Sequence, residues 1–256
     1  MKNLALPDSI DNAAKNLSDK PTLAIGQTFA DLWQLTLGGR VALAAEKQKL
    51  RYALALDEYR KKLEDKVDAI PRDKQIEPPL HIAAQALEDS KYCIESEELR
   101  NLFANLISRA MHSDYSEMIH PSFSKIVQQL SPFDAQMLVL MRDYHVHSGI
   151  AVVDYIRRQK DGGYAVLMDC VPAVVPGPCS IEAATRSLMS LQRLGLIEIP
   201  RDIQFSDNNL YESFLHTPLY KQYSEEWDQS EYKVDIQKRV ARLTVMGLDF
   251  VNVCLD

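Results

Sequence analysis

Residues 76–134 read IEPPLHIAAQALEDSKYCIESEELRNLFANLISRAMHSDYSEMIHPSFSKIVQQLSPFD, a run in which helical spacing and helix start signals alternate. Leu99, Leu102, Phe103, Leu106, Ala110 and Met111 recur at three- and four-residue steps. One side of a helix over 96–111 is therefore apolar, while Glu98, Arg100, Asn101 and Arg109 point elsewhere. Ser96 offers a side-chain oxygen to the free amides of the first turn, and Glu97 and Glu98 place negative charge at the positive end of the helix dipole. Ser131-Pro132-Phe133-Asp134 is a second start: Ser as cap, Pro at the first helical position, where a missing N–H costs nothing, and Asp at the third. Phe133, Met137, Leu140, Met141 and Tyr144 then form the stripe of a helix over 131–147. Helices over 79–92, opened by Pro78-Pro79, and over 122–130, with Ile126, Val127 and Leu130 as its apolar side, complete a helical set.

Working outward, a long helix is expected from Val41 to Ile70, since Tyr52, Leu56, Tyr59, Leu63 and Ile70 step by helical intervals, with Leu43 and Leu50 extending the stripe and Pro71 ending it. Asp57 and Glu64 interrupt a strict heptad and favour a packed helix over a coiled coil. After His147 the period changes. Ile150–Ile156 and Tyr164–Met168 are strand-like, and Lys160-Asp-Gly-Gly163 between them is hairpin-turn chemistry. Pro172, Pro176, Gly177 and Pro178 form a connector, and Ser180 caps a helix with the stripe Ile181, Ala184, Leu188, Leu191 and Leu194, stopped at Gly195. Leu196–Ile199 reads as a short strand, 200–236 as polar and irregular with a helix near Tyr220, Val240–Leu243 as the returning strand, and Val245–Leu255 as a final helix capped by Thr244. The expectation is a mainly α protein: a helical bundle over 1–147, followed by a smaller α+β, winged-helix-like region over 148–256.

A chain of 256 residues with 46% hydrophobic and 25% charged residues has the composition of a soluble globular protein. The apolar run Thr22–Ala45 contains Asp31 and Arg40, and each charge near a bilayer centre costs roughly 2.5–3.5 kcal/mol. It reads as a buried or self-associating helix pair broken at Gly38-Gly39, not a membrane span. No secretory leader is visible at Met1, so a cytoplasmic location is expected. The four cysteines, Cys93, Cys170, Cys179 and Cys254, are widely separated and give no zinc or redox spacing.

Within the winged-helix-like region, the helix ending SLMSLQRLGLIEI offers Thr185, Arg186, Gln192 and Arg193 to DNA, with Arg186 and Arg193 the candidate contacts. The charge balance opposes that use. Residues 131–256 hold 12 Lys and Arg against 17 Asp and Glu, a net −5, and the whole chain is at −7. Nucleic-acid affinity depends on neutralising phosphates, and an acidic module lacks the general attraction.

Metal and catalytic chemistry have no motif to rest on. His112, His120, His145 and His147 cluster in sequence, yet His145-x-His147 on a helix points to two faces, and no His-Glu-x-x-His occurs. There is no Gly-x-Ser-x-Gly elbow, phosphate-binding glycine loop or dinucleotide fingerprint. The carboxylate clusters Glu95–Glu98 and Glu225–Asp228 read as solvated faces and helix starts. No catalytic, metal or cofactor residue is assigned, and an enzyme site would have to be assembled by the fold alone.

Taken together, Glu77-Pro78-Pro79, the run Glu97-Glu98-Leu99-Arg100 to Leu106, His120-Pro121-Ser122-Phe123 and Leu130-Ser131-Pro132 resemble the abortive infection alpha family of bacterial proteins, over roughly residues 22–200. The resemblance implies a role in defence against phage, with a protein partner, a phage component or a second copy of the chain as the binding target. It implies no reaction.

Overall fold

The structure, a computed structural model, describes Trp33 and residues 46–145, 148–227 and 231–255. Thr22–Ala45 (Trp33 excepted) and His147 lie outside the described residues, and the expectations placed on them go no further. Among the described residues, no helix is long and apolar enough to cross a membrane.

The described residues fall into two compact units, one of those up to 129 together with 252–255, the other of those between 130 and 251. The first is helical: α1 (Glu46–Asp68), α2 (Leu80–Ser90), α3 (Glu97–Arg109) and α4 (Phe123–Gln129). Helix α3 packs against α1, α2 and α4, and Tyr59, Leu63, Leu87, Phe103, Leu106, Ile107, Met111 and Phe123 are fully buried. Trp33 lies against Tyr59, with ring centroids 5.7 Å apart. Start signals act as read: Ser96 Oγ accepts from Leu99 N at 3.4 Å. Arg100 then donates to Ile94 O at 2.8 Å and to Glu58 Oε2 at 2.7 Å, tying α1 to α3.

The second unit opens with α5 (Pro132–Asp143), whose Ser131 and Asp134 form a reciprocal capping box. Here Met137, Leu138 and Met141 are buried, with Phe133 and Leu140 half-buried. Strands β1 (Ile150–Gln159) and β2 (Tyr164–Pro172) form the hairpin, followed by α6 (Ile181–Arg193), β3 (Ile197–Glu198), a 3₁₀ segment over Asn208–His216, α7 (Pro218–Trp227), β4 (Tyr232–Leu243) and α8 (Val245–Cys254). The last residues of α8 group with the first unit.

The winged-helix-like expectation is corrected here. The returning strand is twelve residues long and pairs along β1 from Ile150↔Ala241 to Gln159↔Tyr232, while only Ile197 and Glu198 of β3 pair with it. The result is a four-stranded antiparallel sheet of order β2-β1-β4-β3, curled into a half-barrel, with no small wing closing a three-helix module. The start of β4, Tyr232–Ile236, falls in the stretch 200–236 that reads as polar and irregular. Its apolar positions Tyr232, Val234, Ile236 and Val240 nevertheless keep the two-residue period of a strand half-buried on one face.

The curl has a local cause. Register shifts flank Tyr155, so β2 carries extra residues opposite β1, and Cys170 sits at φ +53°. Such bulges bend a strand and increase its twist. One face of the sheet is covered by aromatic residues: Tyr155, Tyr211 and Phe214 form a buried cluster with Phe205, Tyr220 and Tyr223 against it. The Tyr155 hydroxyl donates to Phe214 O at 3.0 Å.

Candidate ligand-binding cleft

Chemistry-bearing residues gather at two places in the second unit. The first is buried. Asp154 and Arg239 project from the same face of β1 and β4, since Arg239 stands opposite Val152. Arg239 Nη1 lies 3.0 Å from Asp154 Oδ2, and Asp154 Oδ1 accepts from Cys170 N at 2.9 Å, holding the bulge. Arg239 also donates to Ile199 O and Pro200 O, and Thr185 Oγ1 donates to Cys170 O at 3.4 Å. Every charge here is spent on the fold, as a buried ion pair requires. The Cys170 thiol lies beside Arg239, yet burial outweighs that cation and pushes its pKa up to about 11. It is a protonated core thiol, not a nucleophile.

The second place is open to solvent. A cleft of about 530 Å³ is lined by His145 and Ser148, which follow α5, by Glu198 of β3, by Arg242 and Leu243 of β4, and by Thr244, Val245 and Leu248 at the start of α8. Its walls are fixed by close backbone approaches. Gly149, at φ +114°, lies so near Ala241 that an added Cβ would fall 2.2 Å from the Ala241 carbonyl oxygen, and a Cβ on Gly247 would fall 1.9 Å from Leu196 O. Thr244 Oγ1 donates to Gly195 O at 2.6 Å and accepts from Gly247 N at 2.9 Å, fastening the first turn of α8 to the turn after α6.

Within the cleft, Arg242 and Glu198 face each other across the β3–β4 pair, with Arg242 Nε 2.6 Å from Glu198 Oε1. Among the described residues, the two terminal nitrogens of Arg242 and the second oxygen of Glu198 make no hydrogen bond. Leu243 is the buried floor, and Val245 stands at the rim with 78% of its surface exposed. His145 and Ser148 meet through the backbone, Ser148 N donating to His145 O at 2.9 Å. The cleft thus sets His145, Ser148, Glu198 and Arg242 beside an aliphatic wall.

Arg186 and Arg193 lie two turns apart on the exposed side of α6. Arg186 lines a separate cavity of about 300 Å³ with Ser131, Phe133, Asp134, Ser187 and Ser190. Ser187 Oγ donates to Asp134 Oδ1 on its floor at 2.5 Å. Gln192 is exposed like the arginines, whereas Thr185 is buried in its bond to Cys170 O. Glu182, at the start of the same helix, is held below the usual carboxylate range by its own backbone amide and by Ser180. Of the histidines read for metal, His120 Nδ1 bonds Ser122 Oγ at 2.7 Å and His112 Nδ1 accepts from Asp114 N at 3.2 Å. No group of three or more potential ligands converges among the described residues. The cleft itself was missed in sequence because Glu198 and Arg242 are 44 residues apart and meet only through strand pairing.

Residues 51–254 match the sequence model of the family described as abortive infection alpha. No curated protein and no solved structure matches the chain.

Proposed function

The chain belongs to the abortive infection alpha family, and we propose that it acts in bacterial anti-phage defence as a non-enzymatic interaction protein that uses the cleft beside Arg242 to recognise a partner protein. The observation that carries this reading is the pairing of an outward guanidinium fork with the apolar surface of Leu243, Val245 and Leu248. A charged anchor beside desolvated aliphatic contacts is the make-up of a recognition site. Elsewhere in the unit Asp154 is bonded to Arg239 and Asp134 to Ser187 within the fold, while Arg186 lines a second cavity.

The test is phage plating on a sensitive bacterial host expressing the full chain, the Val245→Asp chain or the Arg242→Gln chain at equal level. Val245 is on the surface, so its replacement leaves the core untouched. Protection by the parent chain that falls in both variants is the expected result. Full protection by both would remove the cleft from the mechanism.

A further inference from the structure

We infer that the cleft binds the C-terminal residue of a partner peptide chain, through its carboxylate and an aliphatic side chain carried next to it. This rests on the reading of the cleft as the recognition surface. Arg242 sets its Nε 2.6 Å from Glu198 Oε1, and its two terminal nitrogens, which make no hydrogen bond among the described residues, are left to a ligand. A planar carboxylate matches that fork with two parallel hydrogen bonds.

The charge count selects the ligand further. Among the described lining residues the guanidinium of Arg242 stands beside the carboxylate of Glu198, so a monoanion gains from Arg242 at modest cost from Glu198. The outward oxygen of Glu198 accepts a hydrogen bond, and the atom next to a terminal carboxylate group that supplies one is the α-nitrogen, as an amide in a peptide or an ammonium in a free amino acid. Leu243, Val245 and Leu248 then receive the side chain. A volume of about 530 Å³ accommodates such a residue with its neighbour.

Calorimetric titration of the purified full chain tests this with four probes: a short peptide ending in leucine, the same peptide amidated at its C-terminus, N-acetylleucine and free leucine. The acid peptide should bind roughly ten- to a hundredfold more tightly than its amide, the loss expected when a charge-assisted pair of hydrogen bonds is removed. Arg242→Gln and Val245→Asp should weaken the acid peptide by a similar factor with an unchanged circular dichroism spectrum. Free leucine bound more tightly than the acid peptide would overturn the assignment to a peptide terminus. Equal affinity for acid and amide, acid binding unaltered by Arg242→Gln and Val245→Asp, or no binding of any acid probe at millimolar concentration overturns the inference. Plating separates the two readings. Selective acid binding with protection unaffected by the variants sinks the defence role of the cleft and leaves its ligand chemistry standing.

Discussion

The two units satisfy their buried polar groups over different distances along the chain. In the helical unit Ser90 Oγ donates to Leu87 O and Ser108 Oγ to Asn105 O, each three residues back in its own helix, and Gln85 reaches Asp89 one turn on. In the sheet unit Asp154 is bonded to Arg239 across 85 residues, Ser187 to Asp134 across 53, and Thr185 to Cys170 between separate elements. A helix closes its own backbone bonds, and its short polar side chains find a carbonyl one turn away. A bulged, curled sheet leaves backbone and side-chain groups that only distant segments satisfy. The helical unit should therefore be sensitive mainly to lost volume, and the sheet unit to lost polar partners.

The largest effects should expose that contrast. Phe103→Ala in the helical unit should cost about 3–5 kcal/mol by leaving a cavity at a fully buried ring. Arg239→Ala should cost a similar amount for another reason, the stranding of Asp154 at 5% exposure. Denaturant titrations distinguish the causes. A double replacement of Asp154 and Arg239 by leucine and methionine should be more stable than Arg239→Ala alone, and a double mutant less stable than the single would break the comparison.

Asn105 sharpens it from the other side. This buried residue on the apolar stripe of α3 donates to Cys254 O at 2.8 Å, while Arg109 beside it donates to Asn252 O and Leu255 O. Side chains of α3 thus satisfy carbonyls at and just beyond the end of α8, a long-range polar tie within the helical unit like those of Arg100 to Glu58 and Lys125 to Asp89. Asn105→Ala should cost about 1–3 kcal/mol, the price of an unsatisfied buried carbonyl. Amide exchange should quicken at the end of α8, and unchanged exchange there would refute the assignment.

A smaller effect is expected at Ser131, whose hydroxyl accepts from Asp134 N at 3.1 Å. Ser131→Ala should lower the unfolding free energy by about 0.5–2 kcal/mol. Because Asp134 also accepts from Ser187, the loss should couple to Ser187→Ala in a double-mutant cycle, and strict additivity would show the capping box to be independent of α6.

At neutral pH the smallest effect is at Cys170, where a pH dependence emerges only in alkali. Burial raises the Cys170 pKa to about 11, so the folded state keeps a proton that the unfolded thiol releases near pH 9. Stability from this group is complete below about pH 9 and declines as pH rises towards about 11. Cys170→Ala should flatten that part of the stability curve. In native alkylation at pH 8, exposed Cys179 should be modified ahead of buried Cys93, Cys170 and Cys254.

Legibility followed the same division. Ser96, Ser131 and Pro132 announced their helices, and the stripe of Leu102, Phe103 and Leu106 announced the core, because a helix is specified by residues three and four apart and those are visible in any window of sequence. Of the residues that carry the family resemblance, Ser131 caps a helix and His120 bonds Ser122 close by in sequence, whereas Arg100 reaches Glu58 across 42 residues. The β1–β4 pairing was hidden, since Ile150 and Ala241 are brought together only by the sheet, and reading the end of the chain as a winged helix assigned β4 a third of its length. The cleft belongs to the same class. Sequence determined the helices, their caps and the family. Tertiary structure alone decided that Arg242 and Glu198 stand side by side over Leu243, because strand partners are chosen by which faces bury together, and no local spacing records that choice.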